Sequence, residues 1–320
     1  MVTPLGIVFF GTPAFAERSL AALVDSPHRV VAVVTQPDRP RGRGQKLTPS
    51  PVKAFAESRS IPVLQPERMK DDVFASALGA LAPDLAVVAA YGRILPQALI
   101  DLPRLGTINV HGSLLPRWRG AAPVHRAILA GDRETGITIM RLVQALDAGP
   151  MLSRVPVSIG ENETSAELER RLADLGAALL VETINAIARG PVQETPQPED
   201  GVTYAHRLER QESAIDWTRP AADIHNRIRG LQPWPLAVAM LHGRRFALLG
   251  SEVVALVPSG HAPGAVVDVS ADAIDVATGS GAVRLTRVQL EGKPAMSVRQ
   301  FVNGHRIVVG DLLAPLGGTS

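Results

Sequence analysis

The chain has 320 residues, no cysteine and a formal net charge of +2, with 46% hydrophobic and 20% charged residues. These values are ordinary for a folded globular protein and set aside disordered and fibrous classes, while the missing thiols exclude disulfides, thiolate metal sites and a cysteine nucleophile. No apolar run approaches the roughly 20 residues of a membrane span, and no Lys or Arg precedes the first apolar stretch, so the expectation is no membrane association and a cytoplasmic location.

Taken in chain order, the first half alternates apolar strand-like runs with helix-like stretches. Strands are expected at Leu5 to Phe10, Val30 to Thr35, Leu85 to Ala90, Thr107 to Val110 and Ile137 to Val143, and helices at Phe15 to Val24, Ser50 to Arg59, Asp71 to Leu81 and Ala122 to Ala130. Such alternation predicts an α/β fold around a mainly parallel, Rossmann-like sheet covered on both faces. A long helix follows within 161–190, opened by a capping box of Thr164 and Glu167 and ended by Gly190. After a Pro-rich, acidic segment the pattern changes to one helix, Ala221 to Leu231, and then short alternating strands with turn signals. A smaller C-terminal β-barrel, OB-like, is expected there, with the boundary near 205–212 and domains of 1–207 and 208–320.

Local clustering hides beneath the modest net charge. Arg39, Arg41, Arg43, Lys46 and Lys53 fall in one Pro- and Gly-rich loop with no acidic residue among them. Such a stretch suits phosphate contact, and a merely solvated loop would look the same.

In open α/β sheets ligands bind beyond the carboxyl ends of the strands. Three segments should converge there. "GTPAF" at 11–15 is a tight strand-to-helix turn and carries no dinucleotide or phosphate-loop fingerprint. In "TINVHGSLLPRWRG" at 107–120, Asn109 and His111 are two residues apart on a strand and so share a face at its end. Asp147 stands before a Gly/Pro turn in "LDAGP". Each taken alone reads more readily as a capping or turn residue. Together they supply an amide donor, a proton carrier and a carboxylate, the set that acyl transfer to an amine requires. Ser113 has no base at a spacing that would make it a nucleophile, which points to direct transfer. The segment after Ser113 is expected to turn the chain away from the site.

"NVHGSLLP" at 109–116 followed by "LDAGP" at 146–150 resembles the signature of the folate-dependent formyltransferases. The likeness extends through "FFGTPAFA", "TQPDRPRGRGQKLTPSPVK", "AAYGRILP" and "IDWTRPAADIHNRIRGLQPWP", and is closest to members that act on methionyl-tRNA. The resemblance implies catalysis by Asn109, His111 and Asp147. It implies 10-formyltetrahydrofolate as formyl donor, held by Ser113, Leu114, Leu115, Pro116, Tyr91 and Gly92, with no metal. It further implies initiator methionyl-tRNA as acceptor, contacted by Arg39, Arg41, Arg43, Lys46 and Arg207, and a monomeric enzyme. Arg207 stands where the family often has Lys, which keeps the charge and changes the geometry of any contact to RNA. Because the catalytic signature is shared across the family, a small amine such as an amino sugar nucleotide or glycinamide ribonucleotide is the alternative acceptor.

Overall fold

A computed structural model of the chain describes residues 3–41, 46–254 and 260–316. Two units separate: one made of Met1–Pro123, Thr135–Val157 and Glu169–Ala205, the other of Val124–Glu134, Ser158–Leu168 and His206–Ser320. The second unit therefore draws on two short stretches that lie early in the chain.

The first half of the chain runs β1 (Gly6–Gly11), α1 (Ala14–Val24), β2 (Arg29–Val34), β3 (Arg39–Arg41), β4 (Lys46–Thr48), α2 (Pro51–Ser58), β5 (Val63–Leu64), α3 (Asp72–Ala80), β6 (Leu85–Ala89), α4 (Gln97–Ile100) and β7 (Thr107–His111). It continues through β8 (Arg119–Gly120), α5 (Pro123–Leu129), β9 (Glu134–Arg141), β10 (Met151–Ser158), α6 (Ser165–Arg189) and β11 (Tyr204–Ala205). Seven strands form one sheet in the order β10-β9-β7-β6-β1-β2-β5. From β5 to β7 all neighbours are parallel, and β9 then runs antiparallel to β7. The central strands read GIVFFG, LAVVA and TINVH because a parallel strand covered on both faces needs apolar side chains on both.

Four predicted strand–helix pairs are observed within a residue or two of their expected bounds, and the expected strand at 137–143 is β9. α2 begins as the sequence suggests, with Pro51 at its first position and the Ser50 hydroxyl accepting from Lys53 N at 3.1 Å. The capping box at Thr164 is also present, Thr164 N donating to Glu167 Oε2 at 2.9 Å and Glu167 N to Thr164 Oγ1 at 3.3 Å. β10 and the β3–β4 hairpin are additions. β10 is an outer strand with alternating burial, and the hairpin forms inside the basic loop. α6 crosses behind the sheet so closely that a Cβ on Gly176 would lie 3.2 Å from Val110 Cγ1, the residue between Asn109 and His111.

The second unit contains a 3₁₀ turn (Arg210–Ser213), α7 (Ala221–Gly230), β12 (Ala237–Leu241), β13 (Arg244–Val254), β14 (Val266–Val269), β15 (Ile274–Ala277), β16 (Ala282–Leu290), β17 (Met296–Ser297), α8 (Val298–Gly304) and β18 (Ala314–Pro315). Its antiparallel sheet has the order β14-β15-β16-β13-β12-β18, with β17 on β16. The sheet curls until its edges meet through the chain's own backbone: Val266 N donates to Asp311 O and Leu313 N to Gly264 O, both at 2.8 Å. Those bonds satisfy edge groups that would otherwise stand open. Phe246 and Phe301 fill the interior with ring centroids 5.0 Å apart. Among the described residues, no helix is long and apolar enough to cross a membrane.

Candidate active site

β7 ends at the carboxyl edge of the sheet, and its alternation carries Asn109 and His111 onto one face, both buried. The loop after β9 returns Asp147 to the same place. Asp147 adopts φ +46°, in the left-handed region, so that its carboxylate turns inward instead of capping its own loop. Asn109 Nδ2 donates to Asp147 Oδ1 at 3.4 Å, His111 Nδ1 lies 3.8 Å from Oδ2, and Gly120 N donates to Oδ2 at 2.8 Å. Of the three side chains expected from the sequence, Asn109 and His111 thus share the carboxylate of the third, Asp147. The imidazole and the carboxylate side chains are only 6% and 12% exposed, so the pair is largely shielded from water.

His111 Nε2 lies 2.8 Å from the carbonyl oxygen of Trp118. A carbonyl can only accept, so Nε2 carries the hydrogen and Nδ1 is the atom left to exchange protons toward Asp147. The segment after Ser113 accordingly does not leave the site. It doubles back, pairs as β8 with β11, and returns the Trp118 carbonyl and the Gly120 amide to the catalytic groups. The expectation of a chain turning away is corrected here: a polar cluster buried at a strand end needs partners, and the nearest available ones are backbone groups of its own loop.

Gln197 is the residue that sequence reasoning missed. Its amide donates to the carbonyls of Asp147 and Gly149, each at 2.8 Å, and its Oε1 accepts from Arg119 at 2.7 and 3.0 Å. It lies in the Pro-rich linker, where no periodicity marks it. Gly149 has its own constraint, because a Cβ there would fall 1.9 Å from Arg141 O.

Ser113 is buried with its hydroxyl donating to Arg117 O at 2.6 Å, so it is spent on the turn. Thr138 Oγ1 donates to Ser113 O at 2.7 Å and accepts from Leu115 N at 3.2 Å, stitching the turn to β9. Leu115 packs with Met140 and Met151, Leu114 lies over Gly136, and Pro116 follows a cis peptide bond. Tyr91 is a core residue whose hydroxyl donates to Met69 Sδ at 3.2 Å and whose phenol is pushed up to about 12 by burial. Its carbonyl accepts from Gln36 Nε2 at 2.8 Å and from Thr12 Oγ1 at 3.2 Å, and Gly92 follows with φ +78°.

A cavity of about 530 Å³ is lined by Arg68, Met69, Lys70, Ile94, Pro96 and Gln144, and Met69 links it to the Tyr91 hydroxyl. Its lining combines apolar side chains (Met69, Ile94, Pro96) with two cations (Arg68, Lys70), a composition that suits an apolar body carrying negative charge. Among the described residues, no three His, Asp or Glu side chains converge as a metal site would need.

Of the expected RNA contacts, Arg39 is exposed on β3, and Arg41 and Lys46 close the described part of the hairpin as paired residues. Arg43 lies outside the described residues. Arg207 is exposed on the second unit, where its carbonyl accepts from Arg126 Nη2 at 3.2 Å.

Residues 5–184 match the family model "Formyl transferase" and residues 207–306 match "Formyl transferase, C-terminal domain". A "Methionyl-tRNA formyltransferase" of Pseudomonas fluorescens (strain SBW25) is 48% identical over 306 residues, covering 96% of each chain. The chain belongs to the methionyl-tRNA formyltransferase family. A second member, from Stutzerimonas stutzeri (strain A1501), is also 48% identical with 96% of each chain covered. Among solved structures, the sugar 3N-formyl transferase WlaRD, described in the presence of dTDP and 5-N-formyl-THF, superposes with a TM-score of 0.66 at 16% identity, covering 91% of this chain and all of that one. HypX from Aquifex aeolicus, in complex with tetrahydrofolic acid, gives 0.64 at 17% identity over 97% of this chain and 51% of its own. These two likenesses establish the shared fold.

Proposed function

We propose that the chain transfers a formyl group from 10-formyltetrahydrofolate to the α-amino group of initiator methionyl-tRNA, giving N-formylmethionyl-tRNA for translation initiation. The observation that carries this reading is the convergence of the buried Asn109 and His111 side chains on the largely shielded Asp147 carboxylate. Relatives matched over 96% of each chain are named methionyl-tRNA formyltransferase, which supports formyl transfer to methionyl-tRNA.

10-Formyltetrahydrofolate supplies the formyl group when bound. Arg68 and Lys70 would meet its carboxylates, and Met69, Ile94 and Pro96 its aromatic body. The Ser113 to Pro116 turn and the backbone of Tyr91 and Gly92 shape the same edge. Asn109 donates an N–H to the oxygen of the acyl carbon as charge develops on it, a contact worth about 3–4 kcal/mol in comparable sites. His111, with Nε2–H committed to Trp118, takes the amine proton at Nδ1 and passes it to the departing nitrogen. Asp147 balances the imidazolium charge and keeps the ring turned. A free α-amine costs only on the order of 1 kcal/mol to deprotonate near neutral pH, so orientation and oxyanion stabilisation carry the larger share.

Residues 1–207 form the catalytic domain and 208–320 an RNA-binding domain in this reading. Arg39, Arg41, Arg43, Lys46 and Arg207 contact the acceptor stem, and the enzyme acts as a cytoplasmic monomer. Incubation with charged initiator tRNA and 10-formyltetrahydrofolate should yield formyl-methionyl-tRNA. Formylation of a small amine with none of the aminoacyl-tRNA would replace this reading.

A further inference from the structure

The basic hairpin is not simply suspended from the sheet. Its outgoing stalk leaves β2 through Thr35, Gln36 and Asp38, and its returning stalk enters α2 through Ser50 and Lys53. The Thr35 and Ser50 hydroxyls meet at 2.9 Å across the base. Above them Lys53 Nζ donates to Asp38 Oδ2 at 2.6 Å and to Gln65 Oε1 at 2.9 Å. Gln65, just after β5, completes the ring: its Nε2 donates to Asp38 Oδ1 and to Gln36 O, both at 2.9 Å. The Lys53 and Asp38 side chains are 17% and 25% exposed, so the pair is largely shielded from solvent. The Lys53 ammonium and the Gln65 amide hold the Asp38 carboxyl below the usual carboxylate range. Gln36 then carries the connection to Tyr91 O.

Charge and geometry point the same way. Lys53 reads in the sequence as one more cation of the loop, yet it is neutralised by Asp38 and pointed at the stalk. Both hydrogen-bonding ends of Gln65 serve the stalk as well. Asp38, Lys53 and Gln65 bond to one another and to Gln36 O, holding the two ends of the hairpin together beside the carboxyl ends of β2 and β5, while Lys53 also lies 3.9 Å from Glu57 of its own helix.

We propose that Asp38, Lys53 and Gln65 form a lock on the stalk of the basic hairpin and act as positioning residues for the acceptor RNA; this rests on the reading of residues 35–53 as an RNA-contacting segment. The lock touches neither substrate. It fixes the direction in which the two strands of the hairpin leave the sheet at Asp38 and Ser50, so that part of the ordering cost is met before RNA arrives.

The test compares Lys53→Met, Lys53→Arg and Asp38→Asn with the unaltered chain. Lys53→Met should raise KM for methionyl-tRNA about tenfold, within the range for residues that act on a site without touching its ligand, while kcat and KM for 10-formyltetrahydrofolate stay within about twofold. Lys53→Arg keeps the charge and should restore part of the loss. Limited trypsin digestion reads the lock without any substrate: cleavage within 39–46 should be severalfold faster in Lys53→Met and Asp38→Asn at unchanged melting temperature. Unchanged cleavage together with an unchanged KM for RNA would overturn the lock, and so would a parallel rise in both KM values, which marks general damage. If the unaltered chain formylates no methionyl-tRNA, the functional reading falls and takes the RNA role with it, while the cleavage rates still decide whether the stalk is locked.

Discussion

The carbonyl of Trp118 accepts from His111 Nε2 at 2.8 Å, and this contact sets which imidazole nitrogen faces Asp147. A side chain that keeps the contact can therefore be separated from one that keeps the chemistry. Gln reaches about as far as Nε2 and can still donate to the Trp118 carbonyl, but it cannot carry a proton. His111→Gln should fold with a near-normal melting temperature and lose roughly 10²- to 10⁴-fold in kcat, the usual worth of a general acid–base group. Single-turnover formylation alongside calorimetry checks it; a residual rate within a few-fold of the unaltered chain would remove His111 from the proton path.

Gln197 holds the Asp147 loop by two carbonyls and is itself held by Arg119. Gln197→Leu keeps the bulk and removes both donors. With Asp147 free to drift by an ångström or so, kcat should fall on the order of a hundredfold, with tRNA affinity measured by filter binding unchanged.

Gly149 is a steric requirement of the same loop, since a Cβ would lie 1.9 Å from Arg141 O. Gly149→Ala must push the loop off β9. A stability loss of about 1–3 kcal/mol is expected from the overpacking, together with a fall in kcat; an active, fully stable variant would mean that the loop adapts freely.

Two histidines should make stability depend on pH. His28 accepts from Leu5 N at Nδ1 and faces Asn185 Oδ1 with Nε2, and His225 lies between the Ser251 hydroxyl and the Glu161 carbonyl. Burial lowers both below the usual imidazole value, and for His225 the Arg229 charge adds to this while Glu161 and Glu252 oppose it. The folded chain keeps both rings neutral, whereas the unfolded chain protonates them near pH 6.5. Unfolding therefore takes up protons below that pH. Stability is complete above about pH 6.5 and declines as pH falls, by up to about 1.4 kcal/mol per pH unit for each group, until the folded-state values are reached. Melting curves between pH 7.5 and 5.5 should show this fall, with a shallower slope in His225→Gln; equal slopes would show that His225 does not contribute.

Much of the fold is readable in the residues because buried parallel strands must be apolar on both faces: β1, β2, β6 and β7 stand out as β-branched runs between amphipathic helices. β10 did not stand out, since an outer strand with alternating burial and Pro156 within it gives a weaker signal. The site divides along similar lines. Asn109 and His111 follow from the two-residue period of a strand, and Asp147 from its motif. The partners that orient them are Trp118 O, Gly120 N and an amide in an aperiodic linker. Backbone groups carry no side-chain identity, so no reading of residue types could assign them. Lys53 shows the reverse case, a charge evident in the sequence whose partner, Asp38, becomes evident only once the stalk is folded.

The rate of formyl-methionyl-tRNA formation from 10-formyltetrahydrofolate and charged initiator tRNA, with Asn109→Ala as comparison, decides whether this site carries out formyl transfer. Product should form, and the substitution should lower kcat on the order of 10²- to 10³-fold, as loss of one oxyanion donor does, with tRNA affinity kept. Absence of product from verified charged tRNA would remove the formyl-transfer function, and an Asn109→Ala variant as fast as the unaltered chain would remove Asn109 from the reaction.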